Sequence, residues 1–274
     1  MRIRILHETR YRYDSPVRAV IQVLRLTPLD HAGQHTLSWR IEPDIDGRLR
    51  SEEDGFGNIV HVFSTDGPVD SLTLRVSGVV ETLDKGGIID GGVEHVPDSV
   101  FLRETDLTAP DAAIRAFAEE IAAGATSELE ILHRLLVATN TQMIFDVAPT
   151  NVGTTAAEAF GLRRGVCQDL THVFIAAARH LGIPARYVSG YFHRADGVVE
   201  QEAAHAWVEA KVAELGWVGF DPANGISPTD AHVRVATGLD YLGAAPIRGS
   251  RRGGSGEALD VTLRVDTAQR QSQS

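Results

Sequence analysis

A single cysteine, Cys167, stands in Gly165-Val166-Cys167-Gln168-Asp169, where a glycine-bearing loop gives way to an apolar-striped helix. A histidine and a carboxylate follow in order, His205 in His-Ala-Trp-Val-Glu (205–209) and Asp221 in Gly-Phe-Asp-Pro-Ala-Asn (219–224). Thiol, imidazole and carboxylate are the three roles of thiol-based acyl transfer: the cysteine attacks a carbonyl, the histidine moves the proton, and the acid orients the ring. A lone cysteine is more often a small buried hydrophobe, so the chemistry rests on its neighbours. Cys167, Leu170, Phe174, Ala178 and Leu181 fall three or four positions apart, one stripe of a helix that Gly182 and Pro184 end. Cys167 therefore lies in a first helical turn, where unpaired N–H groups and the helix dipole favour an anion. That help matters, because a free cysteine is only about 3% thiolate at pH 7.

The positions 205–211 and 216–221 read as two strands joined by a three-residue loop at 212–214, a register that sets His205 directly opposite Asp221. Side chains so paired have Cβ atoms about 5 Å apart, whereas a one-residue slip would put them on opposite faces. Asp221 can then hold one ring nitrogen and leave the other for the thiol. An oxyanion donor is also needed; the backbone N–H of Cys167 is one candidate, and Gln142, Asn140 or Gln168 could supply a second. Trp207 and Trp217 share the expected face of His205 and Asp221, where core packing outweighs a cleft-lining role. Tyr187, Tyr191, Asp240 and Tyr241 can wall a cleft, although a core strand and a surface loop explain them equally well. Asp169 is accounted for by the helix dipole. His172, five residues after Cys167, falls on another helix face, at the surface or between domains.

The elements that must carry these residues change period once. Over residues 1–83 apolar side chains recur at every second position, as in Leu37, Trp39 and Ile41, punctuated by Asp46-Gly47, Asp54-Gly55, Gly57-Asn58 and Asp66-Gly67. This predicts an antiparallel β-sandwich over 1–84. The acidic Glu52, Glu53 and Asp54 read as a turn beside glycine rather than a cation site. A glycine-rich, acidic linker over 85–104 follows, then an α+β core over 105–266 with helices at 112–123, 128–139 and 156–162, the last capped by Thr154-Thr155. The alternating segment 257–265 reads as a closing strand, 248–252 as a solvated linker and 267–274 as a disordered tail.

Composition bounds the function class. The formal charge is −11 and no dense Lys/Arg run occurs beyond Arg248–Arg252, which argues against nucleic-acid binding. No stretch approaches the roughly 20 apolar residues of a membrane span, and the N-terminus lacks a signal-peptide pattern. With one cysteine there is no intrachain disulfide framework, so a reducing, cytoplasmic setting is expected.

Several motifs together resemble the bacterial transglutaminase-like proteins, a family also described as cysteine-protease-like. They are Gly165-Val166-Cys167-Gln168-Asp169, the Leu-Gly-Ile-Pro-Ala-Arg-Tyr-Val-Ser-Gly-Tyr run (181–191), His-Ala-Trp-Val-Glu and Gly-Trp-Val-Gly-Phe-Asp-Pro-Ala-Asn (216–224). Upstream, Leu6-His7-Glu8-Thr9-Arg10-Tyr11, Pro16-Val17 and Leu24-Arg25-Leu26-Thr27-Pro28 resemble the N-terminal β domain of the same family. The resemblance implies a papain-like core with Cys167 as nucleophile, His205 as general base and acid, and Asp221 as orienting carboxylate. It implies attack on an amide through a thioester that passes to water or to an amine, so peptidase, amidase and transamidase share one intermediate. No cofactor or metal is expected; the partners are a peptide or other amide substrate and, by family association, an ATP-grasp amide-ligase system. The alternative is a catalytically silent binding or scaffolding module. Two-domain relatives often self-associate, but no exposed apolar stripe compels it here.

Overall fold

The computed structural model describes residues 1–92 and 94–268. In chain order it forms β1 (Arg2–Thr27), β2 (Gln34–Pro43), β3 (Arg48–Glu53), β4 (Ile59–Thr82) and β5 (Ile88–Ile89), followed by α1 (Ala112–Ala122) and α2 (Glu128–Gln142). Next come β6 (Ile144–Phe145), α3 (Ala156–Leu162), β7 (Arg164–Gly165), α4 (Cys167–His180), β8 (Ala185–Phe192) and β9 (Glu200–Gln201). The chain closes with β10 (His205–Val212), β11 (Gly216–Phe220), β12 (His232–Gly238), α5 (Tyr241–Ala244), β13 (Ile247–Arg252) and β14 (Ala258–Thr267). No helix among the described residues is long and apolar enough to cross a membrane.

The period-two pattern of the first third becomes two long strands. In β1 the residues Ile3, Ile5, His7, Thr9, Tyr11 and Tyr13 point inward while Arg4, Leu6 and Arg12 face solvent. β1 and β4 pair antiparallel, and register shifts between Arg12 and Ala19 interrupt the ladder. Both halves contribute to one core, in which Tyr11 and Tyr13 meet Val20, Leu24 and Phe63. The strands form a single sheet in the order β2-β4-β1-β14-β9, with β13 also on β1 and β3 also on β4.

This corrects the expected domain bounds. β14 pairs with β1 from Ile3↔Thr267 to Arg12↔Ala258, and β13 pairs from Ala19↔Arg252 to Leu24↔Ile247, so the C-terminal strands complete the N-terminal sheet. The arginine-rich 248–252 is accordingly a strand rather than a linker. Nor is 85–104 a free linker: Ile88 and Ile89 pair with Val218 and Trp217, and Phe101 is buried edge-on against Trp217 at 5.0 Å. Of the expected tail, Thr267 ends β14, while 269–274 lie outside the described residues.

The second sheet runs β12-β8-β10-β11-β5, all antiparallel. One face, with Tyr187, Val208, Ala210, Val218 and Phe220, joins Leu170, Val173 and Phe174 of α4 in the main core. α1, α2 and α3 close around the rest of α4, and every residue from Gln168 to Arg179 is buried. That enclosure fixes the helix start. Its far end is anchored by the buried Arg179, which donates to the carbonyls of Phe101, Ala185 and Leu239 and to Thr108 Oγ1.

The opposite face carries a buried charge cluster. Glu209, fully buried, accepts from Arg186 Nε at 2.6 Å and from Arg234 Nε at 2.7 Å, and the Arg186 guanidinium lies 3.9 Å from the Trp217 ring centroid. The N-terminal sheet grips this side through two amides that act as substitute backbone. Gln34 donates to Arg234 O at 2.8 Å and accepts from Arg234 N at 2.8 Å; Asn58 does the same for Thr237 O and N, both at 2.8 Å. β12 is thereby held on its outer edge, where the sheet has no further strand.

Candidate active site

Cys167 occupies the first turn of α4, with Val166 as N-cap. Valine has no side-chain acceptor, so the cap is supplied from inside: Asp169 Oδ2 accepts from Val166 N at 2.8 Å and from Thr150 Oγ1 at 2.8 Å. Burial raises the Asp169 pKa, and these two hydrogen bonds oppose the rise. Asp169 is therefore more than a partner of the helix dipole; it ties the 150 loop to the turn that carries the thiol. Gly165 leaves room for it, since a Cβ there would lie 2.6 Å from Asp169 Cβ and Oδ2. Gly165→Ala is expected to displace Asp169, costing about 1–3 kcal/mol as an overpacked site and slowing alkylation of Cys167. A thermal melt with iodoacetamide kinetics on the same sample checks both effects.

His205 opens β10 and Asp221 directly follows β11. Their strands pair Val208 with Phe220 and Lys211 with Trp217, two residues displaced from the expected register, because the connecting turn lies at 213–215. A shift of two preserves the face, so the two side chains still meet, diagonally: His205 Nε2 to Asp221 Oδ2 is 2.7 Å. Asp221 leaves the other ring nitrogen unengaged, and Cys167 lies near enough to His205 to help raise its pKa. Cys167 and His205 keep partial exposure, whereas Asp221 has none.

The electrostatics follow from this asymmetry. Burial alone would lower the His205 pKa, but the Asp221 charge and hydrogen bond, with the thiol adding, raise it well above the ordinary imidazole value. Burial opposes the Asp221 charge too, yet His205 and His232 hold its pKa far below the usual carboxylate range. The arrangement favours an imidazolium beside a carboxylate, with Cys167 nearby. Such a ring can receive the thiol proton and return it to a leaving group.

Two further residues in this cluster escaped sequence reasoning. Asn224 Nδ2 donates to Asp221 Oδ2 at 2.7 Å, and the backbone N–H groups of Ala223 and Asn224 reach Asp221 Oδ1 at 3.1 and 3.2 Å. The Asp-Pro-Ala-Asn spacing carries that signal, as an aspartate accepting from the chain two and three residues on is a turn signature. His232, first in β12, places Nε2 at 3.1 Å from Asp221 Oδ2. Nothing local in the sequence ties His232 to Asp221; a returning loop joins them. The ligand atoms of His205, Asp221 and His232 lie within 4.8 Å of one another, a spacing that could suit a cation. Against that reading, His232 Nδ1 accepts from Thr229 N at 3.1 Å, so its proton sits on Nε2 and no lone pair faces the cluster.

The other predicted residues are placed elsewhere. Gln142 is exposed at the end of α2 with its amide oxygen held by Arg163 at 2.8 Å. Gln168 is buried, and its amide turns to Val152 O at 3.4 Å. Asn140 donates to Pro222 O and Ala223 O at 2.9 and 3.2 Å, bracing the loop after Asp221. The backbone N–H of Cys167 lies in a first helical turn, whose N–H groups lack intrahelical partners. Tyr191 does not line a cleft: it is buried, its hydroxyl 3.1 Å from His7 Nδ1 of the N-terminal sheet. Trp207 is buried too, edge-on to His232 at 5.3 Å, and borders a small, partly open cavity of about 40 Å³ with His31 and Gln34. Tyr187 is a core residue, and Asp240 caps α5 by accepting from Gly243 N at 3.0 Å. His172 is wholly buried rather than superficial, because α4 has no solvent face; its Nε2 accepts from Tyr241 N at 3.0 Å.

A helix-start cysteine packed on an antiparallel sheet that presents histidine and aspartate defines a papain-like α+β protein. The chain belongs to the transglutaminase-like superfamily: residues 115–222 match the transglutaminase-like core, and residues 3–81 match the bacterial transglutaminase-like N-terminal region. An uncharacterized protein of Mycobacterium leprae is 30% identical over 96% of this chain and 98% of its own length. A protein-glutamine gamma-glutamyltransferase of Pseudomonas aeruginosa is 29% identical over 56% of this chain and 25% of that protein. A solved structure from Cytophaga hutchinsonii, described as a candidate cysteine protease, shares the fold with a TM-score of 0.75, at 18% identity over 97% of this chain and 98% of that one. Membership in this superfamily supports a cysteine-dependent acyltransferase or peptidase kind of function.

Proposed function

We propose that this protein is a cysteine-dependent acyl-transfer enzyme that acts on amide bonds through a thioester, with Cys167 as nucleophile, His205 as general base and acid, and Asp221 as orienting carboxylate. The 2.7 Å hydrogen bond of His205 to the buried Asp221, in a cluster where Cys167 helps raise the His205 pKa, carries the reading. The thiolate adds to the amide carbonyl, and the oxyanion is met by the Cys167 N–H. Collapse breaks the C–N bond, and His205 protonates the departing amine or ammonia. Water or a second amine then attacks the thioester, His205 takes its proton, and the acid or new amide leaves as the thiol re-forms. The Pseudomonas relative is named for transfer from protein glutamine, which makes a glutamine side chain the first acyl donor to try.

The test pairs a glutamine-containing peptide with a primary amine and reads ammonia release, amine incorporation and acyl-enzyme mass. Turnover is expected in the wild type and is expected to vanish in Cys167→Ala, whose melt stays within a few degrees because the thiol contributes little apolar area. Amine incorporation identifies a transamidase; ammonia release without incorporation identifies an amidase. Cleaved backbone identifies a peptidase. Failure of all three across a peptide panel, with Cys167 alkylating no faster than a free thiol, would favour a silent binding module.

A further inference from the structure

We propose that His232 is a positioning residue for the His205–Asp221 pair, resting on the catalytic reading above. The ring is buried, and each of its nitrogens has one defined partner. Thr229 N donates to Nδ1 at 3.1 Å, so Nε2 carries the hydrogen and donates to Asp221 Oδ2 at 3.1 Å. Oδ2 is also the atom that His205 Nε2 meets at 2.7 Å. Two imidazoles therefore converge on one carboxylate oxygen, and His205 is the one whose pKa Cys167 helps to raise. The groups around His232 are Asp221, His205 and Thr229, together with the uncharged rings of Phe192 at 4.6 Å and Trp207 at 5.3 Å. Arg234, two residues on, is committed to Glu209. Burial holds His232 below the ordinary imidazole pKa, so it works as a neutral donor and not as a competing cation.

The ring cannot easily drift. β12 is fixed two residues later by Gln34, which pairs with both backbone groups of Arg234. Asp221 Oδ1 is held by the backbone of its own loop. Oδ2 could turn toward Asn224 alone, and the His232 N–H is the group that keeps it aimed at His205.

Two substitutions separate this role from simple packing. In His232→Gln the amide N–H2 reaches the position of Nε2 and can donate to Asp221. In His232→Asn the shorter amide can still accept from Thr229 N but falls short of Asp221. Both are read in the full chain by thermal melt, by the pH profile of iodoacetamide alkylation of the sole cysteine, and by NMR titration of the His205 ring, with His205→Ala as reference. The expected result is that His232→Asn alkylates about tenfold more slowly near pH 6 and that its His205 titrates at lower pH than in the wild type, whereas His232→Gln stays within about threefold on rate. Equal behaviour of the two variants, or an His205 titration that is unmoved or raised in His232→Asn, overturns the inference. A lowered His205 titration with alkylation indifferent to His205→Ala supports the positioning role and instead defeats the catalytic reading.

Discussion

Asp221→Asn is expected to lower amide turnover by about 10²- to 10⁴-fold, the range spanned by a positioned acid–base group, while the protein stays folded. The physical reason is a conflict of donors. Asp221 Oδ2 accepts from His205, His232 and Asn224 at once. An amide N–H2 in that place offers hydrogen where all three neighbours also offer it, and turning the amide over only moves the clash to the backbone N–H groups of Ala223 and Asn224. His205 must then carry its proton on the nitrogen facing Cys167, where it can no longer accept the thiol proton. The substitution also removes the charge that raises the His205 pKa, so less imidazolium is present at neutral pH. A thiol without that partner is only about 3% ionised at pH 7. The deficit should therefore be largest near pH 6 to 7 and shrink toward pH 9, which a rate–pH profile of the two proteins measures. A uniform loss at every pH would mean that Asp221 acts through the fold and not through His205.

Glu209→Gln is expected to produce the largest loss of stability, about 3–5 kcal/mol, the usual consequence of breaking a buried ion pair from one side. Glu209 is fully buried between Arg186 and Arg234. Glutamine keeps the shape but removes the charge that both guanidiniums need. Arg186 retains Glu94, at 3.0 Å, and the Trp217 ring; Arg234 has no second carboxylate partner among the described residues. On this scale the melting temperature falls by on the order of 10 °C. The pH dependence has a definite sign. Burial would raise the Glu209 pKa, but Arg234 and Arg186 outweigh it and bring the pKa down from 4.5 to about 2. The stabilisation is complete above the ordinary value and is lost as pH falls through the folded one. Wild-type melts should accordingly drop between about pH 4.5 and 2, and Glu209→Gln should lack this component of the slope. A variant melt that matches wild type at pH 7 would contradict the argument.

Most of the local structure was legible because it is written in short-range patterns. The stripe Cys167, Leu170, Phe174, Ala178 and Leu181 became α4, and Thr155 caps α3 with Glu158 in a reciprocal box. The alternation in 205–211 and 216–221 became β10 and β11, and the face shared by His205 and Asp221 survived an error of two residues in register because strand side chains repeat with period two. His172 and Tyr191 were misread for a common reason: a residue's own periodicity does not say how many neighbours enclose its element. α4 is surrounded on every side, and Tyr191 meets a strand 184 residues away.

The sequence by itself therefore determined the chemistry on offer and the elements carrying it: a lone thiol at a helix start, an imidazole and a carboxylate on adjacent strands, and an all-β first third. Those depend on residue type and on spacings of two to four. Only the tertiary structure decided that the C-terminal strands return to the first sheet, that Gln34 and Asn58 stand in for a missing edge strand on β12, and that His232 closes on Asp221. Each of these is a pairing between distant segments, fixed when buried polar groups must find partners and invisible to any window short enough to read a period.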